Sequence, residues 1–545
     1  MRRDAIRFVR NPMRVGMAAC CALLLIGCTT DDWEERRSEI VNRTRPLIFN
    51  SDGNEMIYYP TNAPFSYRGF CAQRLDHYWD SAITTLSYCP WSSGFGLMTT
   101  AKAGEFYDRP IDLVPGHTNA APVFLRKLGT DALEMTSRFC RERQKEIFVS
   151  IRVNDTHDAA YPQPGTNPKR SWLFPRFKTE HPECLYGGDG DGNPPFGAWT
   201  AVDFEQPAVR EHMRAFVRDF VNNYDVDGIE FDFMRHCQLF KSVGWGAYAT
   251  GAQLKLMTDF MKELRGIVEA AGRRRGRPLL VAVRTPDSVG YCRAVGIDIE
   301  AWLEAGVADI WSVSDYFQLE YWDENVKLAH KYGVKIYAAL AESRVSAAVK
   351  KQSDKGARML PGRNTVESFV AEYAAAMASG CDGIELFNQS CIPTLDARRL
   401  NAIDPRRTVG LNKIYFALVR GSDGYEPRHW LKDGMKFYRR PFVDPGKLVM
   451  IPSGIPHSVD IVVGDDPARG GAATLKLLFG VKDPVVEEVV VNGHRAVLTS
   501  CRDGEHSFVL PSGSWKQGHN DFTFIPHAAE KDVLFNDMAL YISFN

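Results

Sequence analysis

At 545 residues the chain is too long for one ordinary core, so a large domain with a smaller companion is the expected arrangement. Its 45% hydrophobic and 24% charged residues are those of a soluble globular body. Lys+Arg 66 against Asp+Glu 67 leaves a net charge of -1, which gives no electrostatic basis for a nucleic-acid or polyanion partner.

The chain opens like an exported protein. Arg2, Arg3, Arg7, Arg10 and Arg14 precede an apolar run, Val15 to Ile26, that ends in Leu25-Ile26-Gly27-Cys28. That ending resembles the lipobox of bacterial lipoproteins, which implies cleavage before Cys28 and lipidation of its thiol. Asp31 and Asp32 follow, similar to acidic tags of surface lipoproteins, so residues 1–28 are expected to be a signal peptide and the protein an outer-membrane lipoprotein on the periplasmic or cell-surface face. Residues 29–45 read as a charged linker. Cys20, Cys21 and Cys28 lie in this leader; the other nine of 12 cysteines form no C-x-x-C pair, so neither a metal nor another cofactor is expected.

The body begins at Pro46 with eight predicted strands: 47–49, 82–88, 146–153, 226–233, 279–284, 309–313, 334–341 and 383–387. Helical patterns lie between most of them, including the amphipathic run Pro207 to Asn223 and Ala252 to Ala271. Eight such units over residues 46–415 predict a (β/α)8 TIM barrel enlarged by loop insertions. The rival is a doubly wound open sheet, but no G-x-G-x-x-G follows the first strand. The largest insertion, Ala159 to Thr200, is aromatic; Trp172 and Trp199 read either as platforms for sugar rings or as packing. Beyond Gly421, short β-rich runs divided by Gly, Pro and Asn turns predict an all-β sandwich over 421–545, with Asn492-Gly493 as a hairpin turn.

Strand four carries the chemistry. In V-D-G-I-E-F-D-F (226–233) Ile229, Phe231 and Phe233 alternate with Glu230 and Asp232, so the two acids share one face. In a barrel that face is the lumen, with Asp232 at the carboxyl end. Glu230, one step deeper, reads as a structural acid paired with Arg152 or Arg284. Polar groups ending these strands should converge on the same mouth: Asn50, Asp52, Tyr88, Arg152, Asn154, Asp155, His157, Arg235, His236, Arg284, Asp287, Asp315, Tyr316, Glu342, Arg344, Glu385, Asn388 and Gln389. Several acids with few His or Cys suit acid/base work on a neutral polyol.

With F-N-S-D-G (49–53) and G-I-E-L-F-N (383–388), strand four resembles the glycosyl-hydrolase-like family 10 barrels of bacteria, over roughly residues 46–415. The resemblance implies a sugar-processing barrel. The convergent acids lead to the expectation of a glycoside hydrolase working with two carboxyl groups, retaining in outcome, although it is their separation that decides retention or inversion. Strand four is also similar to the α-galactosidase-like clan, although Glu230 stands where that clan has Lys. By that analogy Asp232 is the nucleophile and Asp315 the acid/base; by analogy with barrels that use strands four and seven, Asp232 protonates and Glu342 attacks. The residues expected to touch substrate are Asn50, Asp52, Tyr88, Arg152, Asn154, His157, Trp172, Trp199, Arg235, Arg284, Asp287, Tyr316 and Asn388, with carbohydrate and, through Cys28, the membrane as partners. The alternative expectation is a surface lipoprotein that binds glycans without cleaving them.

Overall fold

The computed structural model describes residues 30–544 except 57–58, 77–80, 91–94, 101, 109–115, 119, 161–172, 189–191, 235, 315, 341–344, 388–400, 402–407, 409, 418–425, 441–442 and 481–484. The chain divides into units 1–43 and 44–545. In the first, Thr30–Val41 is an α-helix carrying an i,i+4 pair from Arg36 to Asp32 at 3.1 Å. Thus much of the expected linker is helical.

The second unit holds the barrel. Strands β1 (Leu47–Ser51), β2 (Ile83–Tyr88), β3 (Glu146–Arg152), β4 (Gly228–Asp232), β5 (Leu280–Thr285), β6 (Ile310–Val313), β7 (Lys335–Leu340) and β8 (Gly383–Phe387) are all parallel, and β1 pairs with both β2 and β8 to close the ring. Helices α1 (Tyr67–Arg74), α2 (Ala132–Glu142), α3 (Pro207–Asn223), α4 (Gly251–Arg275), α5 (Ile299–Glu304), α6 (Trp322–Lys331) and α7 (Val366–Ala378) follow the first seven strands in turn. The longest, α4, is delimited by local chemistry: Thr250 and Gln253 form a capping box at its start, and Gly276 takes φ 68° at its end.

A repeated device sets the register at the amino-terminal face. Asp227, Asp309 and Asp382 each stand just before an even-numbered strand and donate their N–H to the preceding strand, at 2.8 Å to Ile147, Val281 and Ile336 in turn. Each carboxylate accepts the N–H of that same residue, at 2.9, 2.8 and 2.9 Å. Cations close each latch: Arg141 and Arg277 on Asp227, Arg265 on Asp309, Lys335 on Asp382. The glycines after two of them have no room for a side chain, since a Cβ would lie 2.6 Å from the Leu280 carbonyl oxygen at Gly228 and 2.3 Å from that of Arg45 at Gly383. The D-G of strand four is therefore architecture, and it is Glu230 and Asp232 that face the lumen and its mouth.

The carboxy-terminal part is a sandwich of two antiparallel sheets. One is ordered β9 (Lys413–Phe416), β18 (Asp532–Ser543), β12 (Ala472–Phe479), β16 (Glu505–Val509), β15 (Val497–Arg502), with β10 (Val449–Pro452) also on β18. The other runs β11 (His457–Val463), β17 (Gly518–Phe524), β13 (Val489–Val491), β14 (His494–Arg495). Phe479 and Phe535 of the first meet Phe524 of the second at centroid distances of 6.1 and 5.3 Å, the core between sheets. Asn492 and Gly493 take φ 48° and 85° at the β13–β14 turn, as the Asn-Gly pair predicts. Strand β9 lies within the stretch expected to complete the barrel, yet pairs with β18 more than 120 residues away.

This sandwich is seated firmly on the barrel side of the unit. Arg363, just before α7, donates to Asp537 of β18 at 2.8 Å with both groups buried, and Leu360 N–H donates to the same carboxylate at 2.9 Å. Tyr321 beside α6 donates to Asp460 of β11 at 2.8 Å.

Candidate active site

The lumen is acidic around one cation. Asp232 ends β4 in register with Arg152 of β3 and Arg284 of β5. The buried Arg284 guanidinium donates to Asp232 Oδ2, lies 3.7 Å from Glu385 Oε1, and stacks 3.7 Å above the Phe387 ring. Asp232 Oδ1 accepts the Met234 N–H at 2.9 Å. The Arg284 guanidinium and the Met234 N–H are donors, suited to the acceptor oxygens of a carboxyl group.

One layer deeper, Glu230 accepts from Asn50 Nδ2 at 2.7 Å and from the Ser150 hydroxyl at 2.6 Å. Burial raises its pKa above the usual carboxylate range; Arg284 opposes this and the charge of Asp232 adds to it. Burial pushes Glu385 well up as well, reinforced by Glu230 and opposed by Arg284. Burial and mutual repulsion thus push both Glu230 and Glu385 toward the protonated form, with Arg284 opposing.

A second network crosses the ends of β3 and β4. Arg152 pairs with Asp52 at 2.7 Å and reaches Asp155 at 3.5 Å. Asp155, fully buried, accepts the His157 backbone N–H at 2.9 Å, and its oxygens lie 2.8 and 2.9 Å from His157 Nδ1. Burial raises the Asp155 carboxyl, but His157, His236 and Arg152 together hold it well below the usual range. An ionised carboxylate only accepts, so His157 Nδ1 carries the proton. Thr156 N–H donates to His236 Nδ1 at 3.2 Å, and the two imidazoles stand edge to face at 5.4 Å. Asp155, His157 and His236 each offer an atom within 4.8 Å of the others, a donor set that would also suit a transition-metal ion.

The segment between β9 and β10 returns to this mouth. Trp430 lies edge to face on His236 at 5.3 Å, its carbonyl accepts from Gln238 Nε2 at 2.7 Å, and the Pro427 carbonyl accepts from Tyr291 at 2.9 Å.

The structure sorts the residues expected at the site. Asp232, Arg284, Asn50, Arg152, Asp52 and His157 gather in the two networks above. Tyr316 stands edge to face on Phe387 at 5.7 Å, beside the Arg284 stack, and Tyr88 ends β2 fully buried. Glu230 takes its hydrogen bonds from Asn50 and Ser150, while Arg152 goes to Asp52 and Asp155 instead.

Three placements correct the expectation of substrate contact. Asn154 spends both ends of its amide on backbone, donating to Val202 and Gln238 at 3.1 and 2.8 Å and accepting from Val202 N–H at 2.9 Å. Asp287 is fully buried, accepting the N–H groups of Leu319 and Glu320 and the Ser314 hydroxyl; burial lifts its pKa to about 6. Trp199 is buried with its ring stacked on Phe174 at 5.5 Å and 20°. Phe174 and Trp199 both belong to the insertion, and Phe177 ties it to the barrel by stacking on His212 of α3 at 4.4 Å. Asp315, Glu342, Trp172, Arg235, Asn388 and Cys28 lie outside the described residues.

The roles of Glu385 and Asp155 escape a linear reading, although their positions are legible: Glu385 repeats in G-I-E-L-F the lumen parity of Glu230 in G-I-E-F-D. Trp430 has no such signal, because it arrives from outside the barrel sequence.

No protein-family model matches the chain, and no curated protein matches it. Similar solved structures include a glycoside hydrolase family 18 N-acetylglucosaminidase from Paenibacillus barengoltzii, at 10% identity and TM-score 0.37 over 66% of this chain and 99% of that one. The PgaB glycoside hydrolase domain from Bordetella bronchiseptica is similar at 11% identity and TM-score 0.38, over 66% and 99%. An alpha-L-fucosidase from Paenibacillus thiaminolyticus is similar at 11% identity and TM-score 0.40, over 67% and 49%.

Proposed function

We propose that the chain is a glycoside hydrolase of the glycosyl-hydrolase-like family 10 type, acting on a polysaccharide or oligosaccharide at the carboxyl end of the barrel. The observation that carries this reading is the side chain of Asp232 at the end of β4, held by Arg284 and the Met234 N–H beside the buried Glu385. A carboxylate fixed by such donors is suited to attack an anomeric carbon or to stabilise the cation forming there. Asp232 is accordingly the nucleophile of a retaining mechanism, and the proton donor stands elsewhere on the mouth. Asp315 is the carboxyl candidate for that donor; were Asp232 to protonate instead, Glu342 would be the nucleophile. Lipidation at Cys28 would place the enzyme on the outer membrane, facing its glycan.

Assay of the full chain against polysaccharides and aryl glycosides tests this. Hydrolysis with retained anomeric configuration is expected, abolished in Asp232→Asn. Binding of a glycan without cleavage, equal in wild type and Asp232→Asn, would instead establish a non-catalytic glycan-binding lipoprotein.

A further inference from the structure

We propose that Asp155, His157 and His236 bind a divalent transition-metal ion of the Zn²⁺ class, at a site separate from the carboxyls around Arg284. The site stands whether or not Asp232 cleaves a glycosidic bond.

Two imidazole nitrogens and one carboxylate oxygen are donors that Zn²⁺ takes, and they select against Ca²⁺ and Mg²⁺, which prefer all-oxygen shells. Each of the three residues presents one such atom, and the three atoms lie within 4.8 Å of one another. Ligands about 2.1 Å from a tetrahedral Zn²⁺ stand about 3.4 Å apart. His157 Nδ1, 2.8 Å from Asp155 Oδ1, therefore has to open by only about half an ångström to admit the ion. The proton on Nδ1 leaves to solvent as the ion takes its place between ring and carboxylate. At His236 the Thr156 N–H donates to Nδ1 at 3.2 Å, so that nitrogen already presents a lone pair. At the long limit of such a bond, the N–H is the weaker competitor for it.

The ligands are held in place by the fold. Asp155 and His157 follow β3, and His236 stands four residues past Asp232 of β4. The Val153 N–H donates to the Asp232 carbonyl at 3.0 Å and Thr156 bonds His236, so the two loops are tied at two points. Around them lies an outer shell of the kind that orients metal ligands. Arg152, paired with Asp52 at 2.7 Å, stands 3.5 Å from the Asp155 carboxylate. Lys178 Nζ, from the insertion, donates to the Asp155 carbonyl at 3.3 Å, and Trp430 covers His236 edge to face at 5.3 Å.

Asp155 and His236 are buried, whereas 28% of the His157 side chain is open. Three protein ligands with one open side leave a fourth position for water, the pattern of a reactive metal site more than of a closed structural one. No C-x-x-C pair marks it, because its ligands come from the ends of two barrel strands. His181, Glu183 and Cys184 also converge, but His181 and Glu183 are 40% and 60% exposed neighbours on one short turn, and they serve as the control.

The full chain, stripped with dipicolinate and exchanged into metal-free buffer, is titrated with Zn²⁺ against a chromophoric chelator and with Co²⁺ by visible absorption. One equivalent of Zn²⁺ per chain is expected, with a raised Tm, because an ion that binds only the native state stabilises it. Co²⁺ should give the intense visible bands of four-coordinate geometry. His157→Ala, His236→Ala and Asp155→Asn should each weaken Zn²⁺ binding by about 10²-fold or more and bleach those bands. His181→Ala should bind as the wild type does. Where a buried variant does not fold, His157→Ala, on a part-exposed ring, decides alone.

A wild type that takes up no Zn²⁺, or uptake unchanged in His157→Ala, would overturn the site, as would a loss confined to His181→Ala. Zn²⁺ bound through these three residues in a chain that hydrolyses no glycan would uphold the metal site and remove the glycosidase reading.

Discussion

Arg284 on β5 lies in register with Asp232 on β4 and donates a hydrogen bond to it in the barrel lumen, where the same guanidinium also faces Glu385 and stacks on Phe387. One buried cation thereby organises three carboxyls. It lowers the pKa of both Glu230 and Glu385 against the effect of burial.

Replacing Arg284 with Met should therefore cost more than packing. It leaves buried acids without their counter-charge, an effect of about 3–5 kcal/mol when one partner of a buried pair is removed. Urea unfolding at pH 7 should show that loss. At pH 5, where protonation relieves the uncompensated charge, the deficit should be smaller; an equal deficit at both pH values would refute the shared-cation account.

Glu385 makes stability fall as pH rises. Its folded pKa stands well above the usual value because of burial and the neighbouring Glu230. Between the unfolded pKa, about 4.3 for Glu, and the folded one, the native state binds more protons than the unfolded state. Stability from this group is thus complete below about pH 4.3 and is lost as pH climbs through the folded pKa. Glu385→Gln keeps the shape and removes the titration. Its denaturation midpoint, relative to wild type, should rise progressively from pH 5 to pH 8.

Asp309 separates scaffold from chemistry. Asp309→Ala strands buried Arg265 and the Val281 N–H at the amino-terminal face, with an expected loss of about 3–5 kcal/mol. Because barrel chemistry sits at the opposite face, kcat/KM per folded molecule should be unchanged. A fall in kcat/KM without a fall in stability would contradict this division.

Trp430 tests whether the carboxy-terminal part contributes to the mouth. Trp430→Ala removes a buried ring from His236, costing about 3–5 kcal/mol by the general behaviour of large-to-small substitutions. Ending the chain at residue 412 removes this ring and also leaves Arg363 without Asp537. That truncated chain should not give a cooperative thermal transition, whereas an independent barrel would.

The sequence by itself determined the eight barrel strands, to within about two residues at most ends, because strand and helix periodicities are local and the turns between them carry their own signals. The parity of Glu230 and Asp232 was equally legible, since alternation along a strand needs no knowledge of neighbours. Tertiary structure alone decided what those side chains meet. Asn154 and Asp287 occupy the expected strand ends yet are spent on backbone groups more than 30 residues away, and Trp199 faces Phe174 where an open platform was one expectation. Arg284 became the common partner of Asp232 and Glu385 because closing the ring brings β4, β5 and β8 around one axis. Trp430 reached the mouth because the segment after β9 doubles back, a placement no local pattern encodes. Periodicity fixes which face a residue presents; the energy of a buried charge or ring depends on what the folded chain sets against it.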